Sequence, residues 1–492
     1  MSDKNDDIEA VLTSPSADYG STTDEPSSFK PSKWDKLFNF DSSNKHDKIL
    51  ALKIDFFILT YICVSYFIKN LSQMNIRNAY VSGLKEDLNF QGNQYNYLQT
   101  WWLVGYILGV IPAQVALCKV RASILLPLLE IAWSVVTIGI CKVESVHTLY
   151  GLRFLVGFFE AAAYPAFITL LGNWYTTSLG FKVTLIQISS SGAQMFLGYL
   201  QAALFANMNH KAGLAAWRWL FVFDGIIGIP VAIYGFLAVP DTPDDSRAFW
   251  LNPQEKAKCV ERMKSVKRAS YKNLNLETIK NIVFLWPLYL FTAVVVFHEI
   301  SINLSTFLNL WLKSIPRYSH NVRLLNIIPT ASYALQIVVM IIFSISSDLT
   351  GKRLPFTLGY AFFGFLGSLI LLICEKLTVK NTKAEFAGWF ILSAEMGFVT
   401  LVLTWLNEVI SESAEQRTIV IGVTQAVGFA FQAWVALLIY PASEAPHYKN
   451  GYQCAMAFFA VEAFLCVCIW YVLKLDKKGK LKHLQIKTQC DN

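Results

Sequence analysis

Residues 326–375 read NIIPTASYALQIVVMIIFSISSDLTGKRLPFTLGYAFFGFLGSLILLICE, two long apolar runs parted by the charged turn Ser347-Asp348-Leu349-Thr350-Gly351-Lys352-Arg353. Apart from Glu375 at the far edge, neither run carries a charge. A continuous apolar run of about 18 residues or more is long enough to cross the hydrocarbon core as a helix. A transmembrane barrel, the other way to pair every backbone group in lipid, would show short alternating strands instead. The stretch is therefore read as a helical hairpin, with Gly351 permitting the tight reversal.

The pattern repeats along the chain. Twelve apolar blocks are marked, at residues 52–74, 94–117, 123–141, 147–171, 184–207, 217–239, 284–309, 326–346, 354–375, 387–410, 418–440 and 452–473. Of the 492 residues, 54% are hydrophobic and only 16% charged, against about 25% charged in an ordinary soluble domain. This excludes a soluble enzyme and predicts an all-α membrane protein with twelve transmembrane helices. No Gly-x-x-x-x-Gly-Lys-Ser/Thr loop is present for an ATP-driven pump. No Ser/His/Asp arrangement or His-rich cluster suggests an integral membrane enzyme, and no catalytic residue is assigned.

Lysine and arginine set the expected orientation. Nine lie between Arg247 and Lys280, six between Lys474 and Lys487, and six between Lys30 and Lys53. By the positive-inside rule these faces belong in the cytoplasm, and an even number of spans puts both termini there. The net charge of +7 is then topology and attraction to the anionic inner leaflet, not a nucleic-acid footprint. The first 45 residues, polar and rich in Ser, Asp and Pro, predict a disordered tail and not a signal peptide. The first span then serves as an uncleaved targeting signal. Nine scattered cysteines without a C-x-x-C pair argue against a disulfide scaffold or a zinc site. No metal or other cofactor is expected. The sequons at Asn70 and Asn303 fall against or within the membrane, which disfavours glycosylation.

The expected domains are a cytoplasmic tail (1–49), a six-helix bundle (50–240), a cytoplasmic central loop (241–282), a second six-helix bundle (283–475) and a cytoplasmic C-terminal tail (476–492). Six plus six is the layout of transporters built from repeats. The turn Asp348 to Arg353 resembles the cytoplasmic signature of the major facilitator superfamily, in which an acid and cations latch neighbouring helices. The matching turn after the second span, Leu117-Cys118-Lys119-Val120-Arg121, keeps only the cations. Further stretches narrow the resemblance: Asn75-Ile76-Arg77-Asn78-Ala79-Tyr80-Val81-Ser82-Gly83 after the first span, Arg153 to Glu160 in the fourth, Ala216-Trp217-Arg218-Trp219 opening the sixth, and Trp405-Leu406-Asn407-Glu408. Together they are similar to the fungal allantoate permease branch of the anion:cation symporters, and most similar to its pantothenate permeases. The resemblance runs from about Lys53 to Leu475.

Intramembrane ionisable groups are functional candidates, since a charge at mid-helix costs roughly 2.5–3.5 kcal/mol on insertion scales. Arg153 and Glu160 lie two turns apart on one face, about 10 Å along the axis. An organic anion needs a cation that keeps its charge, and a proton-coupled carrier needs a carboxylate able to hold a proton where water is excluded. Arg153 and Glu160 are read in those roles, against the plainer alternative of a static helix-to-helix pair. In the family this spacing recurs, with the acid associated with proton coupling. Glu130, Glu299 and Glu395 are further proton-coupling candidates. His298 and Glu299, being adjacent, are expected to point about 100° apart and not to face one cavity together.

Substrate-binding candidates are Gln187, Gln194, His298, Asn303, Asn407, Gln425 and Trp434, with Gln73 and Asn75 suggested by the resemblance. Ser72-Gln73 stand where many members of the wider family carry an Asp-Arg pair, which leaves Arg153 as the main cation. Gly105 and Gly109 read as helix glue. Asp348, Gly351, Lys352, Arg353 and Arg417 are the gating candidates.

The resemblance implies a secondary active transporter importing a small organic anion with protons, pantothenate or a similar vitamin-like carboxylate, across the plasma membrane. Biotin, nicotinate, allantoate, a dipeptide or a sulfur compound would suit the same mechanism. A transporter-like nutrient receptor is the other class, disfavoured by the short tails. The expected partners are the organic anion, protons and the lipid bilayer, with no nucleic acid and no obligate protein partner.

Overall fold

The computed structural model describes residues 45–175, 179–265, 282–376, 381–410, 414–441, 444, 447–448 and 450–476. The expected disordered tail up to residue 44, residues 266–281 of the central loop with four of its nine cations, and the C-terminal tail from 477 lie outside the described residues.

Twelve long helical runs follow one another, matching the twelve apolar blocks: α1 Lys45–Asp87, α2 Gln94–Lys119, α3 Ala122–Lys142, α4 Val146–Trp174, α5 Leu179–Asn207, α6 Ala216–Ala238, α7 Trp286–Ser314, α8 Val322–Thr350, α9 Leu354–Lys376, α10 Thr382–Val409, α11 Ala414–Ile439 and α12 Gly451–Asp476. A further helix, Pro253–Ser265, lies in the central loop. Helix starts are marked by side-chain caps: Ser145 accepts from the Thr148 N–H, Asn321 from Leu324 and Asn381 from Ala384. At the end of α8, Gly351 takes the left-handed conformation (φ 65°) and its N–H closes on the Ser347 carbonyl, the role expected of it.

The first helix runs longer than its apolar block. Asn75 to Asp87, read from sequence as following the first span, continue as helix through a kink at Ser82 and Gly83, where φ reaches 118° at Gly83. Arg77 and Asn75 made this stretch look like a loop, but their polar groups face a cavity and a buried partner rather than bulk water.

Among the described residues four helices are interrupted, and they are every third one: α1 at Tyr80–Leu84, with an earlier π turn at Asp55–Leu59, α4 at Ala161 and Ala162, α7 at Asn303–Phe307 and α10 at Ala394–Gly397. Breaks recurring at this period fit nested three-helix repeats, and interrupted helices at mid-membrane are where transporter sites are built. Within the first half α2 packs on α4, α3 on α6 and α1 on both α5 and α6. In the second half α9 packs on α10 and α12, and α7 on α11 and α12. The halves meet along α5 with α8 and α2 with α11. A Cβ at Gly105 or Gly109 would overlap the Phe154 or Phe158 carbonyl, so these glycines do let α2 and α4 touch backbone to backbone. Large apolar side chains such as Leu108, Leu237, Phe362, Leu438 and Phe464 point outward, while many polar side chains are turned inward.

Candidate functional site

A cavity of about 160 Å³ lies between the halves, bordered by α1, α2, α4 and α5 on one side and α7, α8, α10 and α11 on the other. Contacts between the halves flank it on both sides. On the face bearing the Asp348–Arg353 turn, Thr184 donates to the Ser344 hydroxyl at 2.8 Å, and the Arg417 guanidinium lies over Gly172. On the opposite face, Asn326 donates to Ser82 at 3.1 Å, and Asn96 and Thr100 donate to the Tyr440 and Ala433 carbonyls at 3.0 Å.

The cavity's central cation is Lys69 of α1. Its Nζ sits 5.3, 5.5 and 5.6 Å from the ring centres of Tyr66, Trp102 and Tyr106, and 3.4 Å from the Gln73 side-chain oxygen. Three aromatic faces partly replace lost hydration, at about 0.5–2 kcal/mol per cation–π contact. Among the described residues no carboxylate pairs directly with Lys69. The carboxylates whose charges act on it are Glu160 and Glu299. Arg77, two turns further along α1, borders the same cavity and reaches the Tyr333 hydroxyl of α8. Sequence reasoning passed over both, although the rule that selects Glu160 applies equally to a lysine inside the first apolar block.

Arg153 and Glu160 are fully buried, as expected, but neither borders the cavity. The Arg153 guanidinium donates to the Ser72 and Gln73 carbonyls of α1 at 3.0 and 3.1 Å. Glu160 accepts the Trp102 indole N–H at 3.0 Å through Oε2, and its Oε1 has no hydrogen-bond partner. The structure thus places Arg153 behind α1 and Glu160 behind Trp102.

Of the other substrate candidates, Gln73, Gln187, Gln194, His298, Asn303 and Gln425 border the cavity. Three do not. Asn75 donates to the buried Asp224 of α6 at 3.0 Å, Asn407 lies near the end of α10, and Trp434 is 58% exposed on the outer surface of α11. Periodicity could not separate the two faces of α11, because both carry polar and aromatic residues.

His298 and Glu299 both border the cavity, contrary to the expectation from their adjacency, because the helix carrying them breaks just beyond at Asn303 and the cavity wraps around its end. His298 Nδ1 lies 2.8 Å from Glu395 Oε1 and 3.8 Å from Glu462 Oε2, and its ring stacks on Phe398. Glu462 of α12 was not anticipated. Glu130 accepts hydrogen bonds from Tyr61 and Ser65, both at 2.9 Å, away from the cavity between α1 and α3. Asn70 borders the cavity and is bonded to Tyr66 and Ser190, which leaves it no access for a glycan; Asn303 borders the cavity too.

The gating candidates gather at one face. Arg353 bridges Asp348 and Glu408, and also donates to Ser347. Burial works against its charge, but the hydrogen bonds it donates to Glu408 and the Asp348 carboxylate outweigh it and hold the Arg353 pKa above the ordinary arginine value. Lys352 is exposed beside Gly351 in the turn. The first-half turn lacks its own acid, yet Arg121 pairs with Asp241, which arrives from the end of α6. A second latch, also unanticipated, joins Lys182 of α5 to Asp55 of α1 at 2.8 Å, with the Tyr175 hydroxyl donating to Asp55 at 2.6 Å.

Comparison with known proteins agrees with this architecture. The profile of the Major Facilitator Superfamily matches residues 62–436. An MFS transporter of Pestalotiopsis fici, PfmaC, is 35% identical over 85% of this chain and 78% of its own length. The pantothenate transporter liz1 of Schizosaccharomyces pombe is 32% identical over 91% of this chain and 87% of its own. The pantothenate transporter FEN2 of Saccharomyces cerevisiae is 27% identical over 83% and 81%. Among solved structures, the proton:xylose symporter XylE superimposes with a TM-score of 0.65 at 14% identity, covering 84% of this chain and 95% of that one; at that identity the likeness speaks for the fold.

Proposed function

The chain belongs to the major facilitator superfamily, and on that premise we propose that it is a secondary active transporter importing a small organic anion, pantothenate or a similar vitamin-like carboxylate, together with protons. Its place is the plasma membrane, with both termini in the cytoplasm and bundles spanning residues 50–240 and 283–475. The observation that carries the reading is Lys69: a buried ammonium on the cavity wall, held by three aromatic rings and Gln73, with no carboxylate among the described residues paired directly to it. Such a site favours an anionic guest, because the guest supplies the charge that burial withholds. Arg77 offers a second cation, and Gln187, Gln194, Asn303 and Gln425 offer the amide groups that a hydroxylated, amide-containing acid needs.

Proton coupling follows from the same geometry. Ionised Glu160, behind Trp102, competes electrostatically with an anionic guest for Lys69. When Glu160 takes up a proton, that competition ends and Lys69 draws the guest more strongly. Proton and anion then promote each other's binding, and by linkage the effect is reciprocal. The resemblance to liz1 and FEN2 supports pantothenate as cargo. Arg153, bonded to the backbone of α1, acts as a positioning group for the helix that carries Lys69.

The test is uptake of labelled pantothenate, biotin, nicotinate, allantoate, a dipeptide and a sulfonate into cells lacking their own carriers, in acid and in neutral medium. Saturable uptake of pantothenate, faster in acid, is expected. A surface-located protein that moves none of the panel would overturn the reading.

A further inference from the structure

The second half holds a buried cluster that the account so far leaves unused. His298 of α7, Glu395 at the break of α10 and Glu462 of α12 bring one nitrogen and two carboxylate oxygens within 4.8 Å of one another, all three side chains buried. Apart from the His298 ring, 2.8 Å from Glu395 and 3.8 Å from Glu462, the described residues bring no hydrogen-bond donor to the four carboxylate oxygens. No lysine or arginine enters the cluster among the described residues. The titratable groups facing it are Tyr360 of α9 beside Glu395, Cys466 of α12 beside Glu462, and Glu299 of α7 on the cavity side, with Lys69 of α1 beyond Glu299. Met340 and Phe343 of α8 and Phe398 of α10 wall it with apolar surface.

Two adjacent buried carboxylate charges facing only one imidazole are far too costly, whereas protons shared among the carboxylates and the imidazole remove the cost. With the imidazole neutral, two protons neutralise the cluster and one leaves a single negative charge. His298 alone of the three borders the cavity, while its Nδ1 faces the carboxylates.

We propose that His298, Glu395 and Glu462 form a proton-binding site of the second half, loaded from the cavity through the His298 ring. A hydronium in the cavity gives its extra proton to the outer ring nitrogen as the Nδ1 proton passes to a carboxylate oxygen of Glu395 or Glu462. One O–H bond of the hydronium breaks as an N–H bond forms, the Nδ1–H bond breaks as an O–H bond forms on the carboxylate, a neutral water is left behind, and the reverse steps return the proton to water. A proton on His298 and an anion in the cavity favour one another, so this site couples the second half to the cargo as Glu160 does the first. The inference rests on the proton-symport reading, but its test does not depend wholly on it.

The experiment uses purified full-length protein in lipid vesicles. Infrared difference spectra between acid and alkaline buffer are expected to show a protonated-carboxyl band that is lost or shifted in both Glu395→Gln and Glu462→Gln. In the same vesicles, exchange of labelled for unlabelled pantothenate, which needs no net proton flow, should persist in Glu462→Gln while uptake driven by a pH gradient is lost. A band unchanged in both variants, or one lost only in Glu160→Gln, overturns the proposal; so does exchange falling in step with driven uptake, or a divalent metal that copurifies with the wild type and is lost in His298→Gln. If wild-type vesicles move no pantothenate, the transport reading fails and the infrared result alone decides the cluster.

Discussion

Trp102 donates its indole N–H to Glu160 at 3.0 Å while the same ring forms one wall of the Lys69 box, 5.5 Å from the ammonium. One side chain thus separates the buried acid from the cavity and connects it to the cation there. Glu160→Gln keeps the shape and the Trp102 contact but cannot exchange a proton. It should bind the anion and carry it in exchange, with the acid stimulation of uptake gone. Uptake measured across a range of external pH checks this; a pH profile identical to wild type would remove Glu160 from the coupling.

The Arg353 bridge to Asp348 and Glu408 ties the α8–α9 turn to the end of α10. Arg353→Ala leaves the half-buried Asp348 without its cation and should slow the conformational cycle about tenfold, the equivalent of roughly 1.4 kcal/mol. The expected signature is a lower maximal uptake rate with little change in half-saturating concentration. Because Arg353 keeps its charge through the alkaline range, this latch should not itself respond to physiological pH.

Ser82 and Asn326 join the halves at one end of the cavity, and Thr184 and Ser344 at the other. If the halves rock about the site, neither pair can stay together through a cycle. A cysteine pair at 82 and 326, or at 184 and 344, should stop uptake on oxidation and regain it with reductant. Uptake unaffected by a verified cross-link at either end would contradict alternating access through this cavity.

Much of this was legible in the sequence. The twelve spans, the two halves and the charged turn followed from apolar length and the position of Asp348 to Arg353. The cost of burying a charge turns Glu160 inward, and a spacing of seven residues puts Gln187 and Gln194 on one face of their helix, where spacing alone favours helix-to-helix contact over a cavity. Lys69 is hidden from a reading by resemblance because it stands one turn before Ser72 and Gln73, where the wider family has its charged pair. Arg153 was misplaced because helical spacing fixes a face but not whether that face meets a cavity or a neighbouring backbone. The His298, Glu395 and Glu462 cluster joins three helices distant in sequence, and no local pattern encodes that meeting.

On the cytoplasmic side of the proposed topology, the helix Pro253–Ser265 is tied to α1 by Lys53 to Glu255 and Lys258 to Asp47, at 2.9 and 2.8 Å. Burial is the largest single influence and works against the Glu255 charge, but the Asn252 N–H and Lys53 together outweigh it and hold its pKa below the usual glutamate value. A depressed carboxylate pKa contributes docking that is present above the ordinary value and lost as pH falls through the lowered one. Near neutral pH the helix should therefore stay docked, and Glu255→Lys should release it. Protease cleavage within 253–265 in inside-out vesicles, faster in the variant, is the expected result.

The central claim is that Lys69 holds the anion, and the most direct test is the half-saturating concentration for labelled pantothenate in wild type, Lys69→Gln and Lys69→Arg, with surface expression matched. A charge-assisted contact is worth about 1.5–3 kcal/mol. Lys69→Gln should therefore raise the half-saturating concentration about 10- to 100-fold, and Lys69→Arg should recover part of the loss, since a planar guanidinium fits the three-ring box less well. Saturation in Lys69→Gln at the wild-type concentration would show that the anion binds elsewhere and contradict the account.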